Sequence, residues 1–140
     1  MKSSRQGVTA PIGFKAAGIH CGIKKAGLLD LALVVSEQSG PIAGVFTRNQ
    51  IVAAPVVLDR LHLRRGRGRA IIVNSGNANA CTGPQGLADA RAMAAAAAAR
   101  VGLTLEQVLV CSTGRIGIPL PISRVEAGVA NIRLSRRGGL

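Results

Sequence analysis

The sequence predicts an α/β (α+β) domain. Three observations carry that prediction. Short runs dense in Leu, Ile and Val recur along the chain, a long alanine-rich run has helical composition, and segments rich in Gly and Asn separate them. Because Leu, Ile and Val dominate the strand candidates, at least one sheet is expected to be buried.

Taken in order, Leu28 to Ser36, LLDLALVVS, reads as a buried strand. Gly40-Pro41 marks a turn, and Ile42 to Thr47 reads as the partner strand of a hairpin. Val52 to Leu58 is a third extended candidate, and Pro55 places it at an edge or a bend. The Arg/Gly run over 64–69 reads as a loop, and Ala70 to Asn74 as a short apolar strand. Residues 74–86, NSGNANACTGPQG, read as an irregular loop, since Asn, Ser and Gly favour turns over regular elements. Leu87 to Val101 is the clearest helix: alanine is the strongest helix former, Asp89 is expected in the first turn, and Gly102 stops the helix. Its small side chains predict close packing on a sheet. Gln107 to Cys111 is the next strand, and Ile122 to Leu134 a weaker helix. The last residues, 134–140, carry no pattern that closes a fold.

The chain has 140 residues, enough for one domain or a piece of one, and 48% of them are apolar, which is globular rather than disordered. The longest uncharged apolar stretch, Met93 to Ala99, is too short to span a bilayer, and the N-terminal residues show no continuous apolar core of a secretory signal. Transmembrane, collagen-like and disulfide-scaffold classes are excluded. Cys21, Cys81 and Cys111 are widely and irregularly spaced and form no CxxC pair. With only His20 and His62 beside them they do not compose a structural zinc site. They read as reduced thiols of a cytoplasmic protein, some of them buried.

Lys and Arg number 18 against 6 Asp and Glu, a net charge of +12, which raises a basic nucleic-acid-binding module as one function class. The charge is clustered: Arg60, Arg64, Arg65, Arg67 and Arg69 crowd one segment, and Arg133, Arg136 and Arg137 lie near the end. Phe14 and Phe46 are the two aromatic residues, so no stacking platform for single strands exists. RRGRGR also reads as a solvated loop.

Two segments carry candidate chemistry. In Cys111-Ser112-Thr113-Gly114-Arg115-Ile116-Gly117, small and glycine residues at a strand end let a ligand approach the main chain, a geometry suited to an anion or a developing oxyanion. An ordinary strand-to-loop turn would look the same. In Asn74 to Gly83, asparagines tolerate left-handed backbone and bond locally, which an Asx-stabilised turn also explains. The phosphate motifs GxxxxGK[ST] and GxGxxG are absent, as is the GxSxG elbow. Neither a Cys–His motif nor a carboxylate pair is present. The residues alone therefore offer an anion-friendly loop without nucleophile, base or metal site.

The ordered string of short motifs resembles the N-terminal part of the ornithine acetyltransferase, or ArgJ, family. It comprises Gly13 to Gly18, Gly22-Ile23-Lys24, Asp30 to Leu33, Ala43 to Asn49, Ala53 to Val56, and the run VNSGNANACTG from Val73 to Gly83. Ser112-Thr113-Gly114, Ile116-Gly117 and Leu120-Pro121 complete it. The asparagine run is highly specific. The resemblance implies a partial domain of an αββα layered fold, with family sequence over 1–130 and a divergent tail over 131–140. It implies an enzyme of arginine biosynthesis that moves acetyl between N2-acetylornithine and glutamate, with acetyl-CoA as a further donor in bifunctional members and with no bound cofactor or metal.

The family nucleophile is a threonine exposed by autocatalytic cleavage at an Ala-Thr bond, its own amine serving as base. Thr113 and Gly114 fall where the family forms its oxyanion hole. The implied assembly is a heterotetramer of two alpha and two beta chains, cytoplasmic, without membrane or nucleic-acid partners. This chain holds no Ala-Thr dipeptide and no threonine-rich substrate segment, so its nucleophile is expected to be absent, the chain alone inactive, and the sheet incomplete with exposed apolar edges. Arg115 stands where the family often has a small apolar residue.

A non-catalytic remnant is the third class, and salt dependence separates the second from the others. The acetyl-transfer reading expects weak binding to random RNA or DNA. Tight binding with a steep salt slope, lost on neutralising Arg64, Arg65, Arg67 and Arg69, would establish the nucleic-acid class instead.

Overall fold

The computed structural model describes residues 7–137, so the last three positions of the tail expected over 131–140 lie outside the described residues. In chain order it contains β1 (Phe14–Ile19), β2 (Leu31–Pro41), α1 (Ala54–His62), β3 (Arg67–Asn77), α2 (Gly83–Val101), β4 (Val108–Arg115) and α3 (Ile122–Asn131). The strands form one sheet in the order β1-β2-β3-β4. β1 and β3 both run antiparallel to β2, and β4 runs parallel to β3, joined to it through α2. The α/β class expected from the sequence is the class observed.

Side-chain alternation gives the sheet two unlike faces. Leu31, Leu33 and Val35 of β2, Ala70 and Ile72 of β3, and Val108 and Val110 of β4 are buried on one face. They join one core with Leu58 of α1, Ala90, Met93, Ala94, Ala97 and Ala98 of α2, and Val125 and Val129 of α3. The alanine face expected to pack closely does so: α2 lies against β3, β4, α1 and α3. On the opposite face Phe14, Val34, Ile71 and Leu109 line an open apolar groove, and Ile71 is 40% exposed.

Several sequence expectations are corrected. Ile42 to Thr47 is not a strand, because β2 continues to Pro41 and takes β1 and β3 as neighbours. Val52 to Leu58 is not extended. Pro55 sits in the first turn of α1, where its missing N–H has no intrahelical partner to lose. β3 starts within the Arg/Gly run and extends into the asparagine run, leaving only 78–82 irregular. α2 starts four residues before Leu87, which puts Asp89 beyond the first turn, buried and accepting from Gln85 Nε2 at 2.8 Å. Gly102 does stop α2, in the left-handed conformation with φ +68°. All three cysteines are free, but none is fully buried: Cys21 is half-buried and Cys81 and Cys111 are exposed.

Both sheet edges are covered, contrary to the exposed edges expected. On β1, Ala16 exchanges two backbone hydrogen bonds with Ser135, at 3.0 and 3.1 Å. The segment after α3 is thus held to the sheet, with Ile132 fully buried, the Arg100 guanidinium donating to its carbonyl at 2.6 Å, and Arg136 paired with Glu37. On β4 the caps are side chains of α1. The Val110 N–H donates to Asp59 Oδ1 at 2.9 Å, and His62 Nδ1 lies 2.7 Å from the Val108 carbonyl, which fixes the Nδ1–H tautomer.

Burial pushes the Asp59 carboxyl up from 3.8 to about 6, against the lowering effect of the Val110 N–H and of His62. Below pH ~4 both folded and unfolded chains hold this proton. Between pH ~4 and ~6 the unfolded chain releases it first, so this group's contribution to stability falls as pH rises and levels off above. Urea unfolding of Asp59→Asn, which keeps an acceptor for Val110, is expected to remove a fall of about 3 kcal/mol across that window. An identical pH profile for the variant would contradict the assignment.

Candidate functional site

The two segments singled out in the sequence meet. Parallel pairing of β3 with β4 sets Ser75 opposite Thr113 and Gly76 opposite Gly114, and the register then breaks at Asn77, which faces both Thr113 and Arg115. Gly114 has φ +138° and Gly76 φ +109°. A Cβ placed on Gly114 would lie 2.2 Å from the Gly76 carbonyl carbon and 2.4 Å from the Asn77 nitrogen. Two main chains touch here with no room for a side chain. Thr113 follows Leu109 and Cys111 by strand alternation onto the sheet face without helices, and Thr113 and Gly114 are both exposed.

The asparagine run holds this seam. Asn77 Nδ2 donates to the carbonyls of Ile118 and Pro119 at 2.9 and 3.1 Å, and its Oδ1 accepts the Asn79 N–H at 2.8 Å. Asn79, at φ +45°, donates to the Gly86 carbonyl and accepts from the Thr82 hydroxyl, both at 2.8 Å. Asn74 Nδ2 donates to the Asn77 carbonyl at 2.8 Å. Beyond the register break, the Ala78 N–H donates to the Arg115 carbonyl and the Gly117 N–H to the Ala80 carbonyl. The asparagines are thus structural ties that shape the loop around Thr113 and Gly114. Asn74 and Ser112 are register partners, and their Oδ1 and Oγ are the buried side-chain polar atoms without a hydrogen bond among the described residues.

A residue the sequence reading used only as a motif letter, Asp30, anchors the facing loop. Its carboxylate accepts the backbone N–H groups of Cys21 at 2.6 Å and Lys24 at 2.8 Å, and its own carbonyl accepts the Ser75 N–H at 2.9 Å. Burial opposes its charge, but those N–H groups outweigh burial and hold the carboxyl down at about 2. His20 Nδ1 lies 3.2 Å from the same carboxylate and 2.8 Å from the Leu28 carbonyl. Burial, and then the bond to Asp30, push the Cys21 thiol up to about 11, so it is no thiolate at neutral pH. The loop so fixed seats Ile23 and Lys24 against Gly76.

Between this loop and the strand ends opens a cleft of about 650 Å³, lined by Gly22, Ile23, Lys24, Lys25, Leu28, Gly76, Gly114, Arg115 and Arg124. Elsewhere the arginine cluster is largely engaged with the chain itself. Arg60 donates to the Thr47 carbonyl and lies over Phe46, Arg67 donates to the Ser39 carbonyl, and Arg69 to the carbonyls of Ser36 and Glu37. Among the described residues no three His, Cys, Asp or Glu side chains gather as metal ligands, and no helix is long and apolar enough to cross a membrane.

Comparison with known proteins places this geometry. The model of the ArgJ family matches residues 15–137. The arginine biosynthesis bifunctional protein ArgJ of Mycobacterium tuberculosis (strain ATCC 25618 / H37Rv) is 54% identical over 143 aligned residues, covering 96% of this chain and 35% of the relative. That of Caldanaerobacter subterraneus subsp. tengcongensis is 48% identical, covering 94% of this chain and 33% of the relative. The chain therefore spans about a third of the length of the curated relatives it matches. The crystal structure of the ornithine acetyltransferase from Mycobacterium tuberculosis complexed with ornithine superposes with a TM-score of 0.92 at 51% identity, over 96% of this chain and 74% of that one. The structure of the ArgJ protein from Bacillus halodurans gives 0.91 at 38% identity, over 96% and 71%.

The seam makes a sharp prediction about its glycines. Gly114→Ala is expected to cost at least about 3 kcal/mol, because backbone blocks the new methyl group and φ is unfavourable as well. Gly117→Ala, at φ +76° in open space, is expected to cost about 1 kcal/mol. Thermal or urea unfolding of both variants measures the difference, and equal costs would refute the close contact.

Proposed function

The chain belongs to the ArgJ family, and from that premise we propose that it forms the oxyanion-binding part of a glutamate N-acetyltransferase and ornithine acetyltransferase. In this reading the enzyme moves acetyl from N2-acetylornithine to glutamate, with acetyl-CoA as a further donor. The observation that carries the reading is the placement of Thr113 and Gly114. They end an otherwise regular strand, stay exposed, and are fixed by the side-chain-free contact with Gly76.

The chemistry has two balanced halves. A threonine hydroxyl supplied from outside these residues attacks the acetyl carbonyl of N2-acetylornithine while its α-amine takes the hydroxyl proton. The carbonyl oxygen becomes an oxyanion, which Thr113 and Gly114 stabilise. Collapse expels ornithine, whose amine takes the proton back, and leaves the acetyl ester on threonine. Glutamate's amine then attacks the ester through a second oxyanion at the same place, releasing N-acetylglutamate and the free threonine. Stabilisation by rigid main chain accelerates both halves, because the donors need no reorganisation as charge develops.

The nucleophile is none of this chain's own threonines: Thr9, Thr47, Thr82, Thr104 and Thr113 each follow a residue other than alanine. The partner is accordingly a beta chain carrying the cleaved threonine, in an assembly of two alpha and two beta chains. These 140 residues alone are expected to show no turnover.

In a full-length family member rebuilt with this segment, Thr113→Ala is expected to lower turnover of N2-acetylornithine by about 10²–10³-fold, the usual effect of losing one oxyanion donor. Unchanged turnover in a folded variant would remove Thr113 from the role.

A further inference from the structure

The cleft beside the Gly76–Gly114 seam holds four cationic side chains, Lys24, Lys25, Arg115 and Arg124, and no carboxylate among its lining residues. They come from three separate segments: the loop after β1, the end of β4, and α3. Two are positioned by the fold. The stem of Lys24 rests on Gly76, and its backbone N–H is held by Asp30. Arg124 Nη1 donates to the Gly22 carbonyl at 2.6 Å. Lys24, Lys25 and Arg115 donate no side-chain hydrogen bond and form no ion pair among the described residues, unlike Arg60, Arg67 and Arg69. Asp30 does not neutralise them, because it is buried and its two oxygens are taken by main-chain N–H groups.

We propose that this cleft is a subsite for the second carboxylate of a dicarboxylic amino acid, with Arg115 and Lys25 as its specificity-determining residues. The choice of ligand rests on the acetyl-transfer reading, in which the acceptor's amine must reach the acyl group beside Gly114. The geometry adds the selection. Four converging cations favour an acceptor with two carboxylates, are less favourable to its uncharged amide, and repel a diamino acid of similar length. Arg115 adjoins Gly114 in sequence and faces Asn77 in register, so an anion held there lies next to the seam where the oxyanion forms. Charge in a cleft also raises the local concentration of an anionic ligand, an effect that weakens with salt.

The test titrates the ¹⁵N-labelled 140-residue chain with glutamate, glutamine, ornithine and inorganic phosphate, following the amides of Lys24, Gly76, Gly114 and Arg115. Glutamate is expected to shift these amides and to bind roughly tenfold more tightly than glutamine, the worth of one charge-assisted contact. Ornithine is expected to leave them unmoved. Lys25→Gln with Arg115→Gln should abolish the preference for glutamate. Arg64→Gln with Arg65→Gln removes the same charge at the other end of β3 and should preserve it.

Equal shifts from glutamate and glutamine, or loss of the preference in the Arg64/Arg65 variant, would overturn the proposal. So would tighter binding of phosphate than of glutamate. In the full-length protein carrying this segment, Arg115→Gln is expected to raise KM for glutamate with kcat held, and a fall in kcat at constant KM would also overturn it. The two readings fail separately. Unchanged turnover in Thr113→Ala would sink the oxyanion role and leave glutamate selectivity standing, whereas absent selectivity would sink the subsite whatever Thr113 does.

Discussion

The contact between Gly76 and Gly114 is a place where two main chains touch, and the region around Thr113 is organised by it. A side chain on Gly114 would collide with the Gly76 carbonyl carbon and the Asn77 nitrogen, so neighbouring parallel strands can approach this closely only where glycine is present. The approach forces the register break at Asn77, and the break redirects the chain after β3. Polar groups freed from the ladder must then find other partners, because an unpaired buried group costs about 1–3 kcal/mol. Asn77 and Asn79 supply those partners by bonding to Ile118, Pro119 and Gly86, and the Ala78 and Gly117 N–H groups bridge the two loops. The asparagine run is the consequence of the glycine contact, and Thr113 is held still by both.

Asp30 plays the matching part on the other side of the cleft. A buried carboxylate is costly unless its charge is met by donors, and here main-chain N–H groups from the loop after β1 meet it. The same residue receives the Ser75 N–H, so one side chain and its carbonyl tie that loop to β3 directly before Gly76. The loop's position follows from hydrogen bonding rather than apolar packing. A loop whose cations must stay exposed cannot be fixed by burying them, and bonding its backbone to a buried anion leaves Lys24 and Lys25 facing solvent.

The legible parts of the sequence were those set by local composition. The alanine run gave α2, Gly102 its stop, and the Leu/Val/Ile runs the central positions of β2, β3 and β4. The misread parts were decided by contacts distant in sequence. Phe14 to Ile19 reads as unremarkable, with small residues and few branched ones, and is a strand because β2 lies beside it. Val52 to Leu58 has strand-like residues, but Pro55 sits where a helix tolerates it, and Asp59 and His62 gain partners on β4 only in the helix. At the site, Ser112 to Gly114 and the asparagine run were visible as motifs, yet their meeting depends on parallel pairing across the length of α2. Asp30 carried no local signal: a single acid after two leucines looks like a surface residue until the strands close around it. The cationic cleft was hidden for the same reason, since the conspicuous charge lay in the arginine run, whereas the cleft takes its cations from three segments far apart.

Edges and faces of the sheet are treated differently, and the difference bears on how the layered fold is built. β1 is closed by backbone pairing with Ser135, and β4 by a carboxylate and an imidazole that occupy the N–H and carbonyl a further strand would use. Strand addition beside those residues is blocked on both sides. The face bearing Phe14, Val34, Ile71 and Leu109 is left apolar and carries no helix. Helices on one face and apolar side chains on the other are one α layer and one β layer of an αββα stack, so such a stack extends through its face and not along its edge. Thr113 lies on that same face, one alternation beyond Cys111. A nucleophile reaching Thr113 and Gly114 would therefore approach along the uncovered side of the sheet, where the apolar surface offers a second layer its footing.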